Sequence, residues 1–215
     1  MSKKLRIGAL ASGGGTNLQA IIDHCRDGKL DAEIVLVISN NPDAGALERA
    51  RRAGIAVRCI DHRQFAGREA FDAALVQALR EAEVDLVTLA GFMRIITPVF
   101  VDAFPRRIMN IHPALLPAFP GLHVQRKALE YGVRFAGCTV HFVDTGTDTG
   151  PIIIQAVVPV HDNDTEETLS ARILEQEHQI YPRAIQLFAE GRLRVEGRRV
   201  LVERSAPSTA SLINP

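Results

Sequence analysis

The chain has 215 residues, 25 Lys and Arg against 25 Asp and Glu, and a hydrophobic content of 47%. That length suits one sizeable domain, and the balance excludes wholesale disorder and leaves no global field for nucleic acid. Three scattered cysteines, Cys25, Cys59 and Cys138, fit neither a compact zinc motif nor a disulfide framework and suit a reducing cytosol.

At the N-terminus Lys3 and Lys4 mimic a signal n-region, but Arg6 and the glycines from Gly13 cut the apolar run to Ile7–Ala11, too short for a signal core. Apolar runs then alternate with helical patterns. Leu5–Leu10 reads as a strand, Thr16–Arg26 as a helix, Glu33–Ile38 as a strand and Ala46–Ala53 as a helix. Next come a strand over Ile55–Ile60, a helix over Arg68–Ala82 and a strand over Val84–Ala90. This rhythm predicts an α/β fold, a Rossmann-like, doubly wound and mostly parallel sheet. A short helix after Thr97 and a strand over Ile108–Ile111 continue it. The longest stretch free of charged residues, 108–125, holds three prolines and two histidines, so it cannot span a membrane. We expect a cytoplasmic protein with neither membrane nor nucleic-acid partner.

Beyond Ala114 the pattern changes. Ala114–Leu122 is too proline-dense for a helix or a central strand. Phe135–Val143 and Pro151–Val160 read as two strands joined by an Asp-, Thr- and Gly-rich loop. Asp164 and Glu167 form a capping box opening a long C-terminal helix that Pro182 bends. Arg192–Val202 reads as a short terminal hairpin. Residues 1–204 form one domain, with a phosphate-binding half at 1–110 and a catalytic half at 111–190, and 205–215 form a flexible tail.

Four places carry candidate chemistry. Ser12-Gly13-Gly14-Gly15-Thr16-Asn17 joins the first strand to the first helix, where glycines and a helix N-terminus favour an anion. It is neither a Walker A motif nor a complete dinucleotide fingerprint, and Ser39-Asn40-Asn41 offers no acidic residue for a ribose diol. A small phosphate monoester fits better, against the alternative of a plain tight turn. Asn110 and His112 lie two apart at the carboxyl end of a strand, so their side chains share a face and can serve an oxyanion and a proton. Asp148 lies in the Gly-rich loop, where it is either a turn residue or a carboxylate reaching His112. Glu177 falls on the apolar stripe Leu169–Ile173–Ile180–Ala184, which demands a partner such as a substrate amine or else a place at the stripe's solvated edge. His24, His62, His123, His141 and His161 show no metal-ligand spacing, so no metal is expected. The Arg49–Arg52 run reads as a solvated face, and His178 as structural.

In order and separation, Gly13–Gln19, Ala90-Gly91-Phe92-Met93-Arg94, Met109–Pro113, Pro120-Gly121-Leu122-His123, Gly137–Gly150 and Gln176-Glu177-His178 closely resemble the folate-dependent phosphoribosylglycinamide formyltransferases. Thr145, Thr147 and Ala114 depart from that pattern. The resemblance implies formyl transfer from the co-substrate 10-formyltetrahydrofolate to a small phosphorylated amine, without metal, and it admits a homodimer. It implies Gly15, Thr16 and Asn17 at the phosphate and Glu177 at the amine end of phosphoribosylglycinamide. Arg68, Met93, Arg94, Ile95, Ile96, Asn110 and Val143 would contact the folate, with Asn110, His112 and Asp148 as the catalytic trio. A 10-formyltetrahydrofolate hydrolase is the rival reading.

Overall fold

A computed structural model describes residues 4–203; the expected tail at 205–215 lies outside the described residues. The first half alternates as its apolar pattern predicts: β1 (Leu5–Ala11), α1 (Thr16–Arg26), β2 (Ala32–Ser39), α2 (Gly45–Arg52), β3 (Val57–Cys59), α3 (Arg68–Glu81), β4 (Leu86–Leu89), α4 (Pro98–Ala103) and β5 (Ile108–His112). Then follow α5 (Val124–Tyr131), β6 (Phe135–Phe142), β7 (Ile152–Pro159), α6 (Glu166–Ala189), β8 (Leu193–Glu196) and β9 (Arg199–Val202).

Among the described residues nine strands join one sheet in the order β3-β2-β1-β4-β5-β6-β7-β9-β8. β3 through β5 are parallel, and β6 and β7 then add antiparallel. The chain reverses its winding beside β1, between β2 and β4. In open α/β sheets, ligands gather at the carboxyl ends of strands beside such a switch point. The sheet runs unbroken across residue 110, so the two expected halves share one framework.

Alternation along the strands sorts side chains onto two faces. Ile7, Ala9 and Ala11 of β1 face a core built with α1, α2 and α6, while Leu10 faces the α3–α4 side. A bulge at β2 pairs Ile7 with Ile34 and Gly8 with Leu36, which sends both Val35 and Leu36 to the α3–α4 side. The fully buried Tyr181 of α6 donates its hydroxyl to the carbonyls of Leu89 (3.2 Å) and Met109 (2.9 Å). That pins α6 across β4 and β5 and carries Glu177, one turn earlier, over the switch point.

Two expectations need correction. The helix N-cap is Thr165, not Asp164: its hydroxyl accepts from the Thr168 amide, and Thr168 Oγ1 accepts in return from the Thr165 amide at 2.9 Å. Asp164 instead pairs with Arg172 at 2.7 Å, which holds its carboxyl well below the usual range. The helix Val124–Tyr131 went unread, because it is short and sits between two left-handed residues, His123 and Gly132, right after the Pro-rich stretch. α6 itself runs on through Pro182.

Candidate active site

The Gly-rich turn closes β1 onto α1. Gly15 takes the left-handed conformation (φ 73°) as the helix N-cap, and a Cβ there would lie 2.7 Å from Ala46 Cα. Only glycine satisfies both conditions. The turn's carbonyls are held by α2: Gly13 accepts from the Ala46 amide at 3.1 Å, and Gly14 from Arg49 Nε at 2.8 Å. The N–H groups of the first α1 turn have no intrahelical partners, and the loop leading into it has an open side. Gly13, Gly14 and Thr16 are exposed there. Asn17 is buried instead, its Nδ2 donating to Glu177 Oε2 at 2.7 Å across 160 residues, and its Oδ1 has no partner. Glu177 is 6% exposed, and burial raises its carboxyl pKa, with the Asn17 bond opposing. The stripe position thus means true burial, not a solvated edge.

At the carboxyl end of β5, Asp148 Oδ2 lies 3.4 Å from His112 Nδ1. Those side chains are only 6% and 13% exposed, so little solvent screens the pair. The other ring nitrogen, Nε2, lies 2.9 Å from the Phe119 carbonyl. Both ring nitrogens therefore face oxygen acceptors. Asp148 reaches this position with φ 55°, a left-handed conformation that costs a non-glycine residue energy. Backbone from the Pro-rich segment braces the pair, because Gly121 N–H also donates to Asp148 Oδ2 at 2.9 Å. That segment is tied down in turn. Thr139 Oγ1 accepts from the Leu116 amide and donates to the Ala114 carbonyl, and Gln155 Nε2 donates to the Leu116 carbonyl.

Asn110 is linked to His112 through His141 and then Asp148. Its Nδ2 lies 3.1 Å from His141 Nε2, and that nitrogen is 3.8 Å from Asp148 Oδ1. His141 Nδ1 donates to the Phe142 carbonyl at 2.8 Å, leaving Nε2 to accept from Asn110. Burial lowers the His141 pKa and keeps this ring neutral. His141 has no metal-ligand spacing, and nothing in its sequence neighbourhood marks it as a site residue. The informative signal is its register directly opposite Asn110 in the antiparallel β5–β6 pair, which the bare sequence does not display.

The other expected residues differ in exposure. Arg68 opens α3 and is exposed. Met93 and Ile95 are 65% and 59% exposed, and Arg94 is half-buried. Ile96 belongs to the α3–α4 core, its side chain buried there. Val143 is half-buried and donates its amide to the Ile108 carbonyl at 2.9 Å. One expectation is corrected: Arg51 and Arg52 are solvated, but Arg49 folds back onto the Gly-rich turn and adds a positive charge beside it. His178, next to Glu177, keeps a buried Nε2 without a partner, and its pKa is lowered by burial and then by Arg49. A groove of about 640 Å³ between α3 and α4 contains none of these residues. Among the described residues no group of three or more His, Cys, Asp or Glu could hold a metal, and no helix is long and apolar enough to cross a membrane.

An amide, an imidazole and a carboxylate converge at the end of β5, an arrangement suited to acid–base and oxyanion chemistry of an enzyme. The formyl transferase family profile matches residues 5–185. The chain is 49% identical over 191 residues to the phosphoribosylglycinamide formyltransferase of Escherichia coli (strain K12), covering 89% of this chain and 90% of that one. It is 50% identical over 191 residues to the trifunctional purine biosynthetic protein adenosine-3 of Drosophila melanogaster, and there spans only 14% of the relative's length. Among solved structures, glycinamide ribonucleotide transformylase 1 from Symbiobacterium toebii superposes with a TM-score of 0.93 at 58% identity, covering 94% of this chain and 95% of that one. The chain belongs to the formyl transferase family.

Proposed function

We propose that the chain transfers the formyl group of 10-formyltetrahydrofolate to the primary amine of 5-phosphoribosylglycinamide, a step of de novo purine biosynthesis in the cytoplasm. The observation that carries the chemistry is His112 held between Asp148 and a carbonyl, with both ring nitrogens facing acceptors. Asn17 and Glu177 support the choice of acceptor, since a buried carboxylate beside a phosphate-binding turn suits a molecule with an anion at one end and an amine at the other. Residues 1–110 supply the phosphate turn and 111–190 most of the catalytic trio, although the folate-facing segment 93–96 falls in the first part.

In this reading Gly15, Thr16 and Asn17 hold the phosphate, and Arg49 adds charge behind them. Glu177 holds the amine end. Arg68, Met93, Arg94, Ile95, the Ile96 backbone, Asn110 and Val143 hold the folate. The amine nitrogen attacks the formyl carbon, forming a C–N bond and a tetrahedral oxyanion. His112 Nε2–H exchanges the Phe119 carbonyl for that oxyanion, and the free hydrogen of the Asn110 amide adds a second donor. The bond to folate N10 then breaks, and the proton released by the amine passes to N10. Asp148 stabilises the charged imidazole throughout. Neither a metal nor an acyl-enzyme is part of this sequence of steps.

Formate release by water is the rival, and the relatives described above carry transferase names that lend it no support. The purified protein is incubated with 10-formyltetrahydrofolate, with and without 5-phosphoribosylglycinamide, and folate absorbance is followed. Tetrahydrofolate is expected only when the acceptor is present. Equal release without it overturns the proposal.

A further inference from the structure

The segment Met93–Thr97 is held at its two ends by side chains from two different elements. At one end the Met93 amide donates to Ser12 Oγ at 2.8 Å. At the other the Thr97 amide donates to Asp72 Oδ2 at 2.6 Å. Asp72 is buried on α3, one turn beyond Arg68, and burial raises its carboxyl pKa while the Thr97 bond opposes that rise. The two clamps differ in what stands behind them. Asp72 belongs to the helix that opens with Arg68, on the donor side of the site. Ser12 is the residue from which the Gly13–Asn17 turn departs.

Ser12 is itself fully committed. Its amide donates to the Gly91 carbonyl at 3.0 Å, and its hydroxyl donates to Asn40 Oδ1 at 2.6 Å while accepting from Met93. Asn40 Nδ2 lies 3.3 Å from His62 Nδ1, which fixes the orientation of the Asn40 amide. A single hydroxyl thus stands between the glycine turn and the segment whose Met93 and Ile95 side chains are exposed. Ordering the turn sets the Ser12 backbone, the backbone sets the hydroxyl, and the hydroxyl sets the first amide of the segment.

We propose that Ser12 is a positioning residue that couples the two substrate sites, so that occupation of either tightens the other. This rests on the functional reading above, in which the turn holds the acceptor phosphate and the segment holds the folate. By linkage the coupling is reciprocal, and couplings of this kind amount to roughly 5-fold or more in affinity.

The test uses a pair that cannot react. Tetrahydrofolate is titrated into the protein by calorimetry, alone and with saturating 5-phosphoribosylglycinamide. The wild-type ratio of the two dissociation constants is expected at roughly 5-fold or above, and in Ser12→Ala it should fall close to unity. Ser12→Thr keeps the hydroxyl and should restore the ratio. Asp72→Ala should weaken tetrahydrofolate and leave the ratio intact, because it frees the segment without touching the turn. Should Ser12→Ala not fold, Ser12→Cys removes the strong hydrogen bonds at similar size. A wild-type ratio near one, or a ratio unchanged in the variant, overturns the coupling alone. A wild-type protein that binds tetrahydrofolate neither alone nor with 5-phosphoribosylglycinamide present overturns the functional reading and the coupling with it.

Discussion

Replacing Asp148 with Asn removes one charge and almost no volume. Its Oδ2 is 3.4 Å from His112 Nδ1, and two unit charges at that distance attract by about 5 kcal/mol at an effective dielectric of about 20 and by about 1 kcal/mol at about 80. Both side chains are largely shielded from solvent, so the larger figure is the nearer bound, reduced by what it costs to desolvate the carboxylate. The positive charge on His112 matters most when the oxyanion forms. The loss should therefore appear in kcat, by ~10²–10³, with KM for either substrate little changed. The Asn amide oxygen can still accept from the Gly121 amide, so the loop keeps that brace, and any fall in the thermal midpoint reports only the lost ion pair. Steady-state kinetics by folate absorbance, with the acceptor and donor varied in turn, measure both constants. A kcat loss below tenfold in a folded variant refutes the role given to this ion pair.

Glu177→Gln should raise KM for 5-phosphoribosylglycinamide while leaving that for the folate unchanged, and a matching rise in both would place the carboxylate elsewhere in the mechanism. The same variant tests linkage. Burial raises the folded pKa of Glu177 above its ordinary 4.5, so the folded state binds the proton more tightly than the unfolded one. Its contribution to stability is fully present below that ordinary value and is lost as pH rises through the raised one. Glu177→Gln should therefore gain stability relative to wild type as pH climbs from 4.5 to neutrality, and denaturation curves showing a constant difference would contradict this. Gly15→Ala forces a left-handed backbone and a Cβ 2.7 Å from Ala46 Cα, for about 2–5 kcal/mol of destabilisation in urea unfolding. Gly13→Ala, where a Cβ meets nothing within 4 Å, should cost less than about 1 kcal/mol. Equal losses at the two positions would refute the steric argument.

What the sequence determined by itself is whatever depends on neighbours along the chain. The run from β1 to β5 followed from alternating apolar strands and amphipathic helices, and α1 begins at Thr16 as its glycine turn dictates, because both signals are local. Asn110 and His112 were legible for the same reason, since two residues apart in a strand share a face. The apolar stripe of α6 likewise marked Glu177 before any contact was known. Locality also explains the near miss at the N-cap, where Asp164 and Thr165 compete for one role and only the pairing of Asp164 with Arg172 decides between them.

Tertiary structure alone decided who meets whom. His112 and Asp148 join only because β6 returns antiparallel beside β5 and the following loop turns back with Asp148 left-handed. His141 gains its place from strand register, and Arg49 from the approach of α2 to the glycine turn. Ser12 gains its place because β1 and β4 end side by side. Each of these contacts spans tens of residues, and the free energy that selects them is the burial of two apolar faces across one sheet. That term acts on the whole chain at once and leaves no mark on any short stretch of it.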